Sequence, residues 1–115
     1  MKLIIAGSRY FNNYEFLKKS VDNLLSLTFE DIEIISGTCR GTDTLAIRYA
    51  KERNYAIKEF PADWSKGKVA GYLRNEQMAD YATHCICFWD GLSRGTKIMI
   101  DICERRKIKH KIIKY

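Results

Sequence analysis

The sequence predicts an α/β fold: a Rossmann-like, open, parallel five-stranded sheet with helices on both faces. Three observations lead there. Short, nearly continuous apolar runs recur along the chain, amphipathic segments of about 10 to 15 residues separate them, and glycines and small polar residues gather just after the apolar runs. Strands buried on both faces need no polar alternation, and a helix between successive strands returns the chain to the same end of the sheet.

Leu3 to Ala6 is the first apolar run, and it stops at Gly7. From about Tyr14 to Leu27 a helix is expected, with Tyr14, Leu17, Val21, Leu24 and Leu25 on one face, Phe16 at its margin, and Asn12 or Asn13 as the cap. Ile32 to Ser36 reads as the second strand, ended by Gly37, and Thr42 to Arg53 as the second helix, burying Leu45, Ala46, Tyr49 and Ala50. Ala56 to Phe60 is the third strand, closed by Pro61, whose fixed φ and missing N–H mark a loop. A polar stretch follows from Ala62 to Gly71. The third helix runs from Val69 or Tyr72 to Ala82 and offers Leu73, Met78 and Ala82 for packing. His84 to Trp89 is the fourth strand, Thr96 to about Arg106 the fourth helix with Ile98, Met99, Ile102 and Cys103 inward, and Lys109 to Ile113 a lysine-bearing edge strand. Its crossovers are expected to be right-handed.

Composition sets the bounds. A chain of 115 residues, 46% hydrophobic and 30% charged with one proline, is a folding chain with room for one domain, and no linker or repeat divides it. Net charge is +6, and residues 97–115 hold seven basic side chains against two acidic ones. That end is either a solvated edge or a surface that steers anions. Lys109, His110 and Lys111 alternate on one short strand without a recognition helix, which disfavours nucleic acid as the partner. The four cysteines have no paired spacing for a zinc site, and Cys85 and Cys87 share one face of a strand. No apolar run approaches the roughly 18 residues that cross a bilayer. Reduced thiols in a cytoplasmic protein, with no membrane, metal or cofactor, are the expectation.

In such a sheet, ligands bind beyond the carboxyl ends of the strands. Four polar loops fall there: Gly7-Ser8-Arg9, Ser36 to Asp43, Pro61 to Trp64, and Trp89 to Thr96. Gly37, Gly41 and Thr42 precede one helix, and Gly91, Gly95 and Thr96 another. The tripeptide Arg-Gly-Thr opens both, at 40–42 and 94–96. Free N–H groups at helix starts bind anions, and Ser8, Ser36, Thr38, Ser93, Arg9, Arg40 and Arg94 add donors. A phosphorylated small molecule is implied, with the three arginines converging on it. Neither loop is a nucleotide P-loop. Trp64 and Trp89 each admit two roles, a platform for a base or sugar, or packing over the sheet. Asp43 either favours a helix start or faces the cleft, while Asp63, Asp90 and Glu76 are the acid–base candidates. His84 falls at the strand end opposite the cleft, and Cys39 stands beside Arg40.

Five ordered blocks carry a resemblance: Ala6-Gly7-Ser8-Arg9 with Phe11, Ser36-Gly37-x-x-Arg40-Gly41-x-Asp43, Phe60-Pro61-Ala62-Asp63-Trp64, Arg74-Asn75-x-x-Met78-Ala79, and Phe88-Trp89-Asp90-Gly91-x-Ser93-Arg94-Gly95-Thr96. From Lys2 to about Ile113 the chain resembles the YspA-like branch of the SLOG superfamily, other branches being the "lonely guy" phosphoribohydrolases and the Rossmann core of DNA-processing protein A. The resemblance implies binding or sensing of a nucleotide or nucleotide-derived ligand. Its site would comprise Gly7, Ser8, Arg9, Gly37, Arg40, Gly41, Asp43, Asp63, Arg74, Asn75, Gly91, Ser93, Arg94, Gly95 and Thr96, in a homo-oligomer. The phosphoribohydrolases carry a glutamate three residues after their Gly-Thr. Met99 stands there in this chain, and Asp101 falls on the far side of the helix. The alternative to sensing is a metal-independent nucleotide hydrolase, an N-glycosidase or phosphohydrolase, working through Asp63, Asp90 or Glu76.

Overall fold

Period-two burial on the strands and a reversal of strand order organise the molecule. The computed structural model describes Met1–Tyr115. Its elements are β1 (Lys2–Gly7), α1 (Tyr14–Leu25), β2 (Glu33–Ser36), α2 (Thr42–Arg53), β3 (Ala56–Glu59), a 3-10 segment (Trp64–Val69), α3 (Ala70–Tyr81), β4 (His84–Trp89), α4 (Arg94–Arg106) and β5 (Lys109–Lys114). All strand pairs are parallel in the order β3-β2-β1-β4-β5, with Leu3 opposite His84 and Gly7 opposite Phe88 in the central pair.

Alternate residues of the inner strands feed two separate cores. Leu3, Ile5, Ile34, Ile86 and Phe88 pack with Leu17, Val21, Ala46, Tyr49 and Ala50, so α1 and α2 cover one face. Ile4, Ala6, Ile35, Cys85 and Cys87 pack with Met78, Ala79, Met99, Ile100, Ile102 and Cys103, so α3 and α4 cover the other. Crossovers of one hand require this arrangement, because reversing direction along the sheet moves the helix to the opposite face. Both edge strands are largely exposed, and β5 carries three lysines to the one of β3. Asn13 caps α1 by accepting from the Phe16 N–H at 3.1 Å. No helix is long and apolar enough to cross a membrane.

Four expectations about packing change. Helix α1 ends at Leu25, leaving Leu27 87% exposed. The polar stretch before α3, given no element by the sequence, holds a 3-10 segment kinked at Gly67 with φ 72°. Helix α3 does not bury Leu73; it buries Arg74 and Asn75 beside Met78, because that face looks into a polar cleft rather than a core. Helix α4 starts two residues early, with Ser93 as its cap, and buries Ile100 instead of Ile98.

The phase of α4 is testable. Ile100→Ala should cost about 2–5 kcal/mol, through lost apolar contact and the cavity left behind. Ile98→Ala at its half-exposed position should cost well under half of that, as read from urea unfolding midpoints.

Candidate functional site

The cleft opens where β1 and β4 lie side by side and their chains depart toward opposite faces. It has a volume of about 410 Å³ at the carboxyl ends of these strands. Of the residues expected there, Gly7, Ser8, Arg9, Asp43, Arg74, Asn75, Asp90, Ser93, Gly95 and Thr96 line it. Ala6, Tyr10, Cys39, Met78, Leu92 and Met99 complete the wall. Gly37, Arg40, Gly41, Thr42, Asp63, Trp64, Glu76, Gly91 and Arg94 are absent from its lining.

The two Arg-Gly-Thr turns have opposite fates. At the start of α2, Thr42 is fully buried, and the Ser8 carbonyl accepts from both its N–H (3.2 Å) and its hydroxyl (3.0 Å). Gly41 presses against the backbone of the β1–α1 loop. A Cβ there would lie 2.4 Å from the Arg9 carbonyl oxygen, and its φ of 77° disfavours any L side chain. This turn ties the loop to the helix and engages both the N–H and the hydroxyl of Thr42. The start of α4 is open. No acceptor lies within hydrogen-bond reach of the Arg94 or Gly95 N–H, and a Cβ on Gly95 would meet nothing within 4 Å. The Ser93 side chain accepts from the Thr96 N–H (3.4 Å), while the Asp90 carboxylate accepts from the Leu92 and Ser93 N–H groups at 2.8 Å each. Trp89 takes the packing role: its indole N–H donates to the Ser93 carbonyl at 3.1 Å. A rigid loop thus presents the positive end of α4 to the cleft.

The floor is a buried polar group. The Arg74 guanidinium donates to the Gly37 carbonyl and, at 2.9 Å, to Asn75 Oδ1, with Cys39 Sγ 3.7 Å from both terminal nitrogens. A Cβ at Gly37 would come within 2.6 Å of Arg74 Nη1, so glycine is what admits the guanidinium here. Asp43, 8% exposed, accepts from the Cys39 N–H at 3.1 Å. Burial pushes its pKa up to about 6, opposed by the charge of Arg74, the Cys39 hydrogen bond and the charge of Arg9.

The three arginines do not converge. Arg9 lines the cleft, Arg40 stacks over the Tyr10 ring at 5.4 Å, and Arg94 points to solvent. Arg74 is the guanidinium at the floor, and Cys39 pairs with it rather than with Arg40. Nothing in apolar periodicity marked Arg74 as inward; its signal was the Arg74-Asn75 block alone. The acid–base candidates also separate. Asp63 caps the 3-10 segment, held below the usual range by the Ser65 hydroxyl and N–H. Glu76 is held low by the Tyr72 hydroxyl and by Arg105 and Arg106. Asp90 lines the cleft, but the Leu92 and Ser93 N–H groups hold it low. Asp43 is the cleft carboxylate able to exchange protons near neutrality. Met99 faces the cleft, and Asp101 is turned outward and paired with Lys97. His84 sits at the opposite end of β4.

Asp43 gives the fold a pH dependence of known sign. Its folded pKa of about 6 lies above the ordinary 3.8, so its stabilising contribution is full below pH 3.8 and is lost as pH rises through 6. The loss amounts to about 3 kcal/mol. Asp43→Asn removes it, so the variant should gain about that much relative to the native chain between pH 4 and pH 7.5. Urea unfolding at the two pH values checks this, and a pH-independent difference would contradict it.

No curated protein and no solved structure matches the chain. The sequence model of one family, described as the YspA, cpYpsA-related SLOG family, matches residues 1–67, more than half of the chain. That span contains the cleft residues Gly7 to Arg9 and Asp43. Family and fold together point to a nucleotide-binding protein of the SLOG type in general. On that match and on this sheet, the chain belongs to the YspA, cpYpsA-related SLOG family.

Proposed function

We propose that this protein binds a nucleotide or nucleotide-derived phosphorylated ligand in the β1/β4 cleft, with the phosphate at the start of α4. The observation carrying this reading is the pair of unbonded N–H groups at Arg94 and Gly95, at the open helix start in the β4–α4 wall of the cleft. A second feature supports it. Arg74 is 8% exposed, yet its hydrogen bonds run to neutral partners alone, which leaves a buried cation available to an anion. Asp43 and Asn75 are suited to the hydroxyls of a sugar or the edge of a base.

A thermal-shift panel of nucleotides and ribose phosphates tests this. At about 100 times its dissociation constant, a ligand stabilises the folded state by about 2.7 kcal/mol. At least one phosphorylated compound should raise the melting temperature of the native chain and of Arg40→Ala, whose side chain lies outside the cleft. Gly95→Asp should abolish the shift, because its carboxylate would enter open space beside the N–H groups without disturbing packing. An equal shift in Gly95→Asp, or none from any compound in the native chain, would overturn the reading.

Turnover is the second reading, and the observation favouring it is Asp43, a cleft carboxylate with a pKa raised into the working range of a proton carrier. Asp90 shares the cleft, whereas Asp63 and Glu76 do not. A hydrolase of this design loses nucleoside monophosphate cleavage on Asp43→Asn while retaining binding. Absence of any cleavage by the native chain would leave binding alone.

A further inference from the structure

Tyr10 separates two cavities. One is the β1/β4 cleft; the other is a groove of about 440 Å³, walled by Tyr10, Phe11, Phe16, Lys114 and Tyr115. We propose that this groove is a second subsite for a planar heterocycle, so that the ligand is two nucleosides joined through phosphate rather than a mononucleotide. The proposal rests on the nucleotide reading of the cleft and extends it.

Five features of the groove support this occupant. Two of its four rings are open to solvent: Tyr10 is 82% exposed and Tyr115 47%. Of the adjacent pair, Phe11 is packed away at 3% exposed, whereas Tyr10 is left at the surface. The platform is held firmly, since the Tyr115 ring lies 4.6 Å from Phe11, which stacks on the core ring of Phe88 at 5.1 Å. A ring fixed in this way loses little freedom when a base stacks on it.

Charge matches the same ligand. No acidic side chain lines the groove, and Lys114 borders it with its ammonium 5.7 Å over the Trp89 ring. Arg40 packs over the Tyr10 ring at 5.4 Å, and Arg9 lines the adjoining cleft, so cations flank the ring that separates the two cavities. A linking phosphate is favoured there. Asn12 and Asn13 put amide groups at the groove, suited to the polar edge of a base. Size agrees as well: each cavity falls in the range of about 300–1,000 Å³ typical of small-molecule sites. A mononucleotide would occupy the cleft and leave the groove untouched.

Isothermal titration decides this, using the four nucleoside 5′-monophosphates and the corresponding pyrophosphate-linked dinucleotides as probes. The best dinucleotide should bind the native chain at least about tenfold more tightly than its own monophosphate, the gain expected from one stacked base. Tyr115→Ala should erase that advantage with the monophosphate affinity unchanged, and Tyr115→Phe should keep it. Equal affinities in the native chain, or an advantage that survives Tyr115→Ala, would overturn the second subsite while leaving mononucleotide binding intact. Failure of both probe classes would overturn the nucleotide reading and the subsite together. A short single-stranded oligonucleotide that binds more tightly than every dinucleotide would replace the proposed ligand with a nucleic-acid strand.

Discussion

Everything at the functional edge follows from one constraint: β1 and β4 are hydrogen-bonded neighbours whose chains must leave in opposite directions. β1 leads to α1 on one face of the sheet, and β4 leads to α4 on the other. No crossover lies above the pair, so a crevice remains there. The loops on either side of it become its walls. The β1–α1 loop is braced from behind by α2, through the two bonds that Thr42 gives to the Ser8 carbonyl. The β4–α4 loop is braced by the Asp90 carboxylate and the Trp89 indole. The third helix adds Arg74 and Asn75 to the floor. One helix start is spent on holding the cleft's shape, and the other faces its interior.

Much of the fold was legible because its signals are local and repeated. Helix α2 and strand β4 have the bounds their apolar patterns predict, and five strands alternate with four helices as expected. Departures occur where the partner is distant in sequence. Residues 40–42 and 94–96 are identical tripeptides before helices, yet the first meets the backbone of Ser8 and Arg9 and the second meets open space. No local pattern separates them. Arg74 and Asn75 face inward because a polar cleft lies beneath them, which an apolar stripe cannot reveal. Phe11 is buried and Tyr10 is not, because Phe88, far along the chain, offers its ring to Phe11.

The same cleft shows how little of a relative's chemistry follows from a shared scaffold. Met99 occupies the wall position where the phosphoribohydrolase resemblance would require a glutamate, and it brings no charge to a sugar. The cleft carboxylate whose pKa burial raises is Asp43, on a different helix, near Arg74 without forming an ion pair with it. Burying a carboxylate and a guanidinium without direct pairing lowers stability. Both groups brace the loop between β2 and α2, Arg74 through the Gly37 carbonyl and Asp43 through the Cys39 N–H.

The most direct measurement of the central claim is an amide chemical-shift titration with a nucleoside monophosphate. The account predicts the largest shifts at the N–H groups of Arg94, Gly95 and Thr96, with smaller ones at Ser8 and Arg9 and near-silence at Gly41 and at Lys109 to Lys114. Shifts centred on the lysines of β5, or on the start of α2 with none at the start of α4, would contradict it.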